Sequence, residues 1–217
     1  MNGNVVLFLL SVAMLACGRP EPQQSRVESL PFYNEATFTP HWIAPNDPAL
    51  DTFHRISPFQ LLNQEGEVIT EETFEDKIYV ADFFFTICPG ICPKMTSNMK
   101  DLQEEFLEDN DVLLLSHSVM PETDSVAVLK KYALNKGILA SKWHLVTGPR
   151  RAIYKLGRKD YFVEEDLGLG MQANDFLHTE NFVLVDKNRH IRGIYNGLNK
   201  SSINQLVADV RTLQQEE

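Results

Sequence analysis

The chain has 217 residues, of which 43% are hydrophobic and 23% are charged, and this length can bury the core of one domain with additional terminal segments. The formal net charge of -10 argues against a nucleic-acid-binding protein, because such a protein needs a basic face. Three cysteines are too few for a disulfide-rich scaffold.

The N-terminal segment carries an apolar run over residues 5–16. A membrane-spanning helix needs about 20 apolar residues, so this run instead matches the hydrophobic part of a signal peptide. It leads into Leu-Ala-Cys-Gly around Cys17, which resembles a bacterial lipoprotein cleavage site. We expect residues 1–16 to be a signal peptide and Cys17 to carry lipid. The protein would then be anchored to the membrane on the extracytoplasmic side of a bacterial cell envelope, facing the periplasm in a Gram-negative cell. A plain signal peptide that leaves a free thiol is the alternative.

Three further segments follow the predicted cleavage site. Residues 17–30 contain proline, glutamine and serine without a hydrophobic period, which indicates a flexible linker. Residues 31–51 are aromatic but irregular, and we expect them to form an ordered arm. Residues 52–217 are expected to form the folded domain.

The predicted elements of this domain alternate between strands and helices. Residues 56–70 predict a β-hairpin with a turn at 63–66, and the nearly continuous apolar run over 77–86 predicts a central strand covered on both faces. The later elements are a helix over 93–110, a strand over 112–119, a helix over 122–135 ending before Gly137, a strand over 143–146, a short helix over 149–157, a long acidic loop over 158–177, strands over 182–186 and 191–195, and a closing helix over 201–213. This order predicts an α/β protein with a mixed central sheet flanked by helices and an extra N-terminal hairpin.

The segment Cys-Pro-Gly-Ile-Cys-Pro lies between the first long strand and its helix, as in a thioredoxin-like fold. Pro93 suits the first position of a helix, which puts Cys92 at or near the N-cap and Cys88 in the preceding turn. Unpaired amide N–H groups and the helix dipole then point at the sulfurs, and the pKa of a thiolate there should fall. Because a thiolate is both the nucleophile and the metal ligand, this geometry suits redox and metal chemistry alike.

The spacing of the cysteines allows them either to form a disulfide or to bind one ion together. Two thiolates are too few for a structural zinc site, which has four ligands. Soft sulfur suits Cu(I), and an added imidazole lets a site also hold Cu(II). A buried, inert cysteine pair is the alternative, but packing explains poorly why prolines flank cysteines at a helix start.

Histidine is the candidate third ligand, and the chain has six. His178 ends the long loop just before the strand predicted over 182–186, and in a thioredoxin-like sheet that approach passes beside the cysteine motif. We therefore favour His178, partly on the resemblance described next. We set the other five aside. Two of them lie outside the sheet core, in the arm and before the hairpin: His41 and His54. We interpret His117 as a strand-face histidine, His144 as structural, and His190 as solvated in a hairpin turn.

Three segments, residues 85–93, 121–125 and 178–186, together resemble the Sco (SenC) family over about residues 50–213. This resemblance implies a thioredoxin-like fold held outside the cytoplasm and copper bound by two cysteines and one histidine. Carried over by position, these ligands are Cys88, Cys92 and His178. The implied function is that of a metallochaperone that delivers copper to the CuA centre of cytochrome c oxidase during its assembly. The implied partner is the oxidase subunit that carries CuA, or another copper or thiol protein.

The sequence departs from the family pattern near the expected metal site. Gly90 stands where the family often has aspartate, and Met120 replaces the first aspartate of an Asp-Pro-x-x-Asp segment whose second aspartate is Asp124. An acidic group near the copper would then be missing. Met120 could be a weak sulfur ligand, but we favour a role in filling the core.

A second function of a different class is a thiol–disulfide oxidoreductase that acts on the oxidase cysteines through the redox pair Cys88 and Cys92. We favour the metallochaperone over the enzyme, because exchange needs a thiolate and a resolving thiol but no distant imidazole. A peroxidase of the peroxiredoxin type is less favoured, since it would use a lone cysteine in a Thr-x-x-Cys turn with a supporting arginine.

Overall fold

The computed structural model describes residues 24–163 and 179–216. Its strands are β1 (Gln60–Asn63), β2 (Val68–Thr70), β3 (Ile78–Phe84), β4 (Val112–Ser118), β5 (Trp143–Thr147), β6 (Asn181–Val185) and β7 (Ile191–Asn196). Its α-helices are α1 (Cys92–Glu105), α2 (Val126–Lys136), α3 (Arg150–Lys155) and α4 (Lys200–Glu216). Two 3-10 turns, Pro48–Thr52 and Glu71–Phe74, and a π-helical turn, Leu156–Asp160, complete the regular structure of the described residues. No helix among the described residues is both long and apolar enough to cross a bilayer.

The strands form one mixed sheet in the order β2-β1-β5-β4-β3-β6-β7. The three central strands β5, β4 and β3 run parallel, and the neighbours on both sides pair with them antiparallel. The hairpin of β1 and β2 adds to one edge through β5. The predicted mixed sheet and N-terminal hairpin are therefore confirmed.

The two faces of the sheet carry separate hydrophobic clusters, because successive side chains of a strand point to opposite faces. All seven residues of β3 are buried, with Val80 and Phe84 on one face and Tyr79 and Phe83 on the other. The first face, here called the α1 face, packs against α1, α2 and α4. The second, the α3 face, packs against α3 and the turn Glu71–Phe74.

The helix boundaries follow local capping more than the hydrophobic pattern. The helix expected over 122–135 begins at Val126, because the Ser125 side chain caps it and the residues before form a turn on the Met120 carbonyl. Gly137 ends this helix in the left-handed conformation (φ 68°), as predicted. Pro93 is not the first helical residue, since α1 already begins at Cys92.

At the end of the sheet where β3 begins, a buried arginine joins the N-terminal arm to the domain. Arg192 donates hydrogen bonds to the carbonyl groups of Leu30 and Pro31 and forms ion pairs with Asp186 (3.3 Å) and Glu216 (2.5 Å). Both carboxyl groups and the guanidinium are almost fully buried. We call this set the arginine clamp, and it holds the arm against β7 and the end of α4.

Candidate metal and redox site

The two cysteines lie at the opposite end of β3, where the chain leaves the sheet and enters α1. Residues 85–91 form the connection, which we call the cysteine loop. Cys88 in this loop is partly exposed, whereas Cys92, the first residue of α1, is buried on the α1 face. Neither forms a disulfide in the described part of the chain. One sulfur is therefore open to a partner and the other lies behind it.

The sulfur of Cys88 is surrounded by hydrogen-bond donors. Partial burial opposes its ionisation, but the thiol of Cys92 and the backbone N–H groups of Gly90, Ile91 and Cys92 donate to the sulfur. Together these donors lower the pKa of Cys88. The amides at the start of a helix have no intrahelical acceptor, which leaves them free for this role. The predicted fall of the thiolate pKa thus applies to Cys88.

Cys92 behaves in the opposite way. Burial raises its pKa to about 12, and the hydrogen bond that its thiol gives to Cys88, together with the charges of Cys88 and Asp82, adds to this rise. A hydrogen bond from the Phe85 backbone opposes it only in part. The pair is therefore unequal: Cys88 is the sulfur that ionises first, and Cys92 keeps its proton.

Asp82 is a buried acidic residue near this pair that the sequence analysis did not consider. It lies on β3 on the same face as Cys92, and its Oδ1 atom has no hydrogen-bond partner among the described residues. Burial raises the pKa of Asp82 to about 7, and a hydrogen bond with Ser116 opposes this rise only in part. The signal was present in the sequence, since a single carboxyl group interrupts the apolar run of β3.

Asp124 ties the cysteine loop to the neighbouring strand. Its buried carboxyl group accepts hydrogen bonds from the Thr86 backbone N–H (3.1 Å), the Thr86 hydroxyl (2.5 Å) and the Ser118 hydroxyl (2.6 Å). Thr86 belongs to the cysteine loop, and Ser118 ends β4. In the sequence Asp124 is recognisable only as a match to a family position, and these contacts leave no local pattern.

The remaining predicted site residues are placed as follows. His178 and Cys17 lie outside the described residues, so their roles stay predictions, and within the described ranges no three potential ligands of the His, Cys, Asp and Glu types come together. Met120 packs against the cluster of the α3 face, whereas the cysteines belong to the α1 face. This supports the core-filling interpretation of Met120. A Cβ atom on Gly90 would meet no heavy atom within 4 Å, so the glycine is not required for space.

Two other histidines are notable. The prediction that His190 is solvated is wrong: it is buried in the arginine clamp, where it lies 3.5 Å from Asp186 and accepts a hydrogen bond from Arg55. His117 on β4 is buried on the α3 face and stacks on Phe83. Burial lowers the pKa of His117 to about 4, so it is neutral at physiological pH.

The donor set of the cysteine loop fits a soft metal ion. Two sulfur atoms share one hydrogen bond, so they lie side by side, and one of them ionises readily. Thiolate is the ligand that Cu(I) prefers. The same pair also has the nucleophile and the resolving thiol that disulfide exchange requires. Fold and site together define a thioredoxin-like protein with a cysteine pair at the start of a helix.

Comparison with known proteins identifies the family. The family model SCO1/SenC matches residues 48–215, and the chain belongs to this family. A SCO1 protein homolog of Bacillus subtilis (strain 168) is 31% identical over 163 residues, which cover 73% of this chain and 82% of that protein.

Solved structures agree with this assignment. The structure of BsSco, described as a member of the Sco family of cytochrome c oxidase assembly proteins with a disulfide switch, matches with a TM-score of 0.64 and 29% identity, covering 76% of this chain and 95% of that one. The crystal structure of Arabidopsis thaliana ScoI with copper bound matches with a TM-score of 0.57 and 25% identity, covering 71% and 97%. The predicted thioredoxin-like fold is confirmed.

Proposed function

We propose that this protein is a copper metallochaperone that delivers copper to the CuA site during cytochrome c oxidase assembly. The observation that carries the proposal is the unequal thiol pair at the start of α1, in a chain of the SCO1/SenC family. Cys88 and Cys92 supply two sulfur ligands, and His178 supplies the third. The recipient is the oxidase subunit that carries CuA.

The geometry of the pair suggests how copper is taken up and released. Cys88 presents the first thiolate to the metal because its sulfur is partly exposed and its pKa is lowered. Cys92 then loses its proton as it binds, since only the thiolate is a ligand, and copper uptake therefore releases protons. A recipient approaches from the exposed side of Cys88, so Cys88 is the ligand that a recipient can replace first.

The N-terminal segment indicates where in the cell the protein is located. We propose that lipid on Cys17 anchors the protein to the membrane outside the cytoplasm, with the signal peptide of residues 1–16 removed. The oxidase is itself a membrane complex, so a tethered chaperone would meet its recipient in the same plane.

The experiment that tests the proposal is a Cu(I) titration of the reduced protein against a competing chelator. His178→Ala should weaken copper binding more than about 100-fold, because even residues behind a ligand change metal affinity by about 10–100-fold. The matched control is His41→Ala in the N-terminal arm, which should bind copper as the wild type does. Equal affinities for wild type and His178→Ala would refute the ligand set.

The structure also favours a second function, a thiol–disulfide oxidoreductase. The thiolate of Cys88 attacks a disulfide in a partner protein, forms a mixed disulfide and releases one partner thiolate. Cys92 gives up its proton and attacks Cys88, which forms the Cys88–Cys92 disulfide and releases the partner's second thiol. Two electrons pass to the partner, and an external dithiol must reduce the pair again.

Trapping of a mixed disulfide distinguishes the oxidoreductase function from the metallochaperone function. With a disulfide-bonded peptide of the oxidase CuA loop, Cys92→Ser should accumulate the mixed disulfide on Cys88, whereas His178→Ala should exchange at the wild-type rate. Slow exchange in His178→Ala would show that exchange also depends on the histidine and would contradict this separation.

A further inference from the structure

The cysteine loop is held at its first residues by a carboxyl group from another element. Asp124 lies in the turn between β4 and α2, with no exposed surface, and accepts three hydrogen bonds. Two of them come from Thr86, through both its backbone and its side chain. The third comes from Ser118 on β4, so one carboxyl group links the ends of two parallel central strands.

The peptide that Asp124 holds contacts Cys88, and the peptide before it contacts Cys92. The backbone N–H of Phe85 donates to the sulfur of Cys92. The carbonyl of the same residue accepts the N–H of Cys88 (3.3 Å). Because Thr86 directly follows Phe85, fixing the N–H of Thr86 also fixes the orientation of the Phe85 carbonyl in the same peptide unit. The path from Asp124 to Cys88 therefore has one intermediate peptide, and the path to the sulfur of Cys92 has two.

We propose that Asp124 is a positioning residue for the cysteine pair, which keeps Cys88 partly exposed and Cys92 buried behind it by fixing the Phe85–Thr86 peptide. Asp124 does not touch either sulfur. It keeps the loop in the conformation in which Cys88 faces the free amides of α1 while Cys92 stays behind it. This inference rests on the proposed function only for its copper readout.

The test measures alkylation of each thiol in the reduced, metal-free protein with iodoacetamide at pH 7, using mass spectrometry to separate the two sites. In Asp124→Ala the ratio of the Cys88 rate to the Cys92 rate should fall at least about tenfold, because hydrogen bonds to a carboxyl group are among the stronger ones and three are lost. Asp124→Asn keeps an acceptor for Thr86 and should restore most of the ratio.

The matched control is Asp186→Asn in the arginine clamp, a carboxyl group as buried as Asp124 and also bound by backbone N–H groups. It should lower stability without changing the ratio of the two rates. Thr86→Val, which removes only the hydroxyl donor, provides a milder variant and should lower the ratio about threefold, as expected for one weakened hydrogen bond.

A ratio in Asp124→Ala within twofold of wild type would overturn the proposal, and so would an equal fall in Asp186→Asn. If Asp124→Ala does not fold, a ratio in Thr86→Val within twofold of wild type would overturn the proposal instead. Copper serves as a second readout, since the sulfur-to-Cu(II) charge-transfer band should shift in Asp124→Ala. A wild-type protein that binds no copper would refute the proposed function but leave the alkylation test intact.

Discussion

The two ends of the central sheet differ in how their buried polar groups are paired. At the end where β3 begins, Arg192 is paired with two carboxyl groups and two carbonyl groups, all shielded from water. At the other end, the donors to Cys88 are neutral N–H and S–H groups, and the sulfur is partly exposed. The first arrangement satisfies every charge and favours a fixed structure. The second leaves one group poised to react, so stability and chemistry depend on different ends of the same sheet.

The largest effect should come from breaking the arginine clamp. Arg192→Met leaves Asp186 and Glu216 buried without their cation, which typically costs about 3–5 kcal/mol in the free energy of unfolding. Urea denaturation measures this cost. Arg211→Met removes the partner of Glu105 in an exposed ion pair and should change stability by no more than about 1 kcal/mol. The contrast between the two ends of the sheet would be wrong if Arg192→Met and Arg211→Met lost the same free energy of unfolding. It would also be wrong if Arg192→Met altered the alkylation of Cys88 in the folded protein.

Asp82 lies between the two ends, and no cation among the described residues pairs with its carboxyl group. Its pKa is raised from 3.8 to about 7 in the folded protein, so the folded state binds a proton more tightly than the unfolded state. The resulting stability is present below pH 4 and is lost as the pH rises through 7, by up to about 4 kcal/mol. Asp82→Asn removes this loss.

The stability of Asp82→Asn relative to wild type should therefore increase between pH 4 and pH 8, as urea denaturation at both pH values would show. Asp51→Asn, at an exposed carboxyl group, is the control and should follow the wild type. A constant difference between Asp82→Asn and wild type across this range would mean that Asp82 is not protonated in the folded state.

The unequal thiols should differ strongly in reactivity. Cys88 has a lowered pKa, and that of Cys92 is raised to about 12, so at pH 7 almost all thiolate belongs to Cys88. We expect Cys88 to be alkylated about 100-fold faster than Cys92, less than the thiolate populations alone would give because a thiolate of lower pKa is a weaker nucleophile. Equal rates for both cysteines would remove the distinction between the two sulfurs.

The smallest effect should come from Gly90. Its position has open space, so Gly90→Asp should fold normally and add a negative charge beside Cys88. That charge raises the pKa of Cys88 and should slow its alkylation at pH 7 about threefold, with screening by salt. Gly90→Asn adds the same volume without charge and should leave the rate unchanged. A rate that falls equally in both variants would assign the effect to the backbone.

Much of the fold could be predicted because its signals are local. The apolar run of β3, the cysteine motif before α1 and the glycine after α2 each mark an element, and the structure has all three. The helix α2 begins later than predicted, because residues 122–124 form a turn and Ser125 then caps the helix. Hydrophobic spacing does not distinguish that turn from a first helical turn.

The site was predictable only in part, since its second layer depends on contacts between distant elements. The cysteines carry a motif, but nothing near Asp124 in the sequence shows that it binds Thr86 in a different loop. His190 was assigned to solvent because it lies in a short hairpin, and only the tertiary structure shows that the arm and Arg55 cover it. Reactive residues leave local patterns, whereas the residues that hold them in place do not.

The arginine clamp also fixes the point where the N-terminal segment joins the domain. Leu30 is fixed by Arg192 and by the side chain of Glu216, at the far end of β3 from the cysteine loop. The clamp and the cysteine loop therefore lie at opposite ends of β3, roughly 20 Å apart at about 3.3 Å per residue. The point where the N-terminal segment joins the domain and the partly exposed sulfur of Cys88 are thus separated by the full length of the central strand.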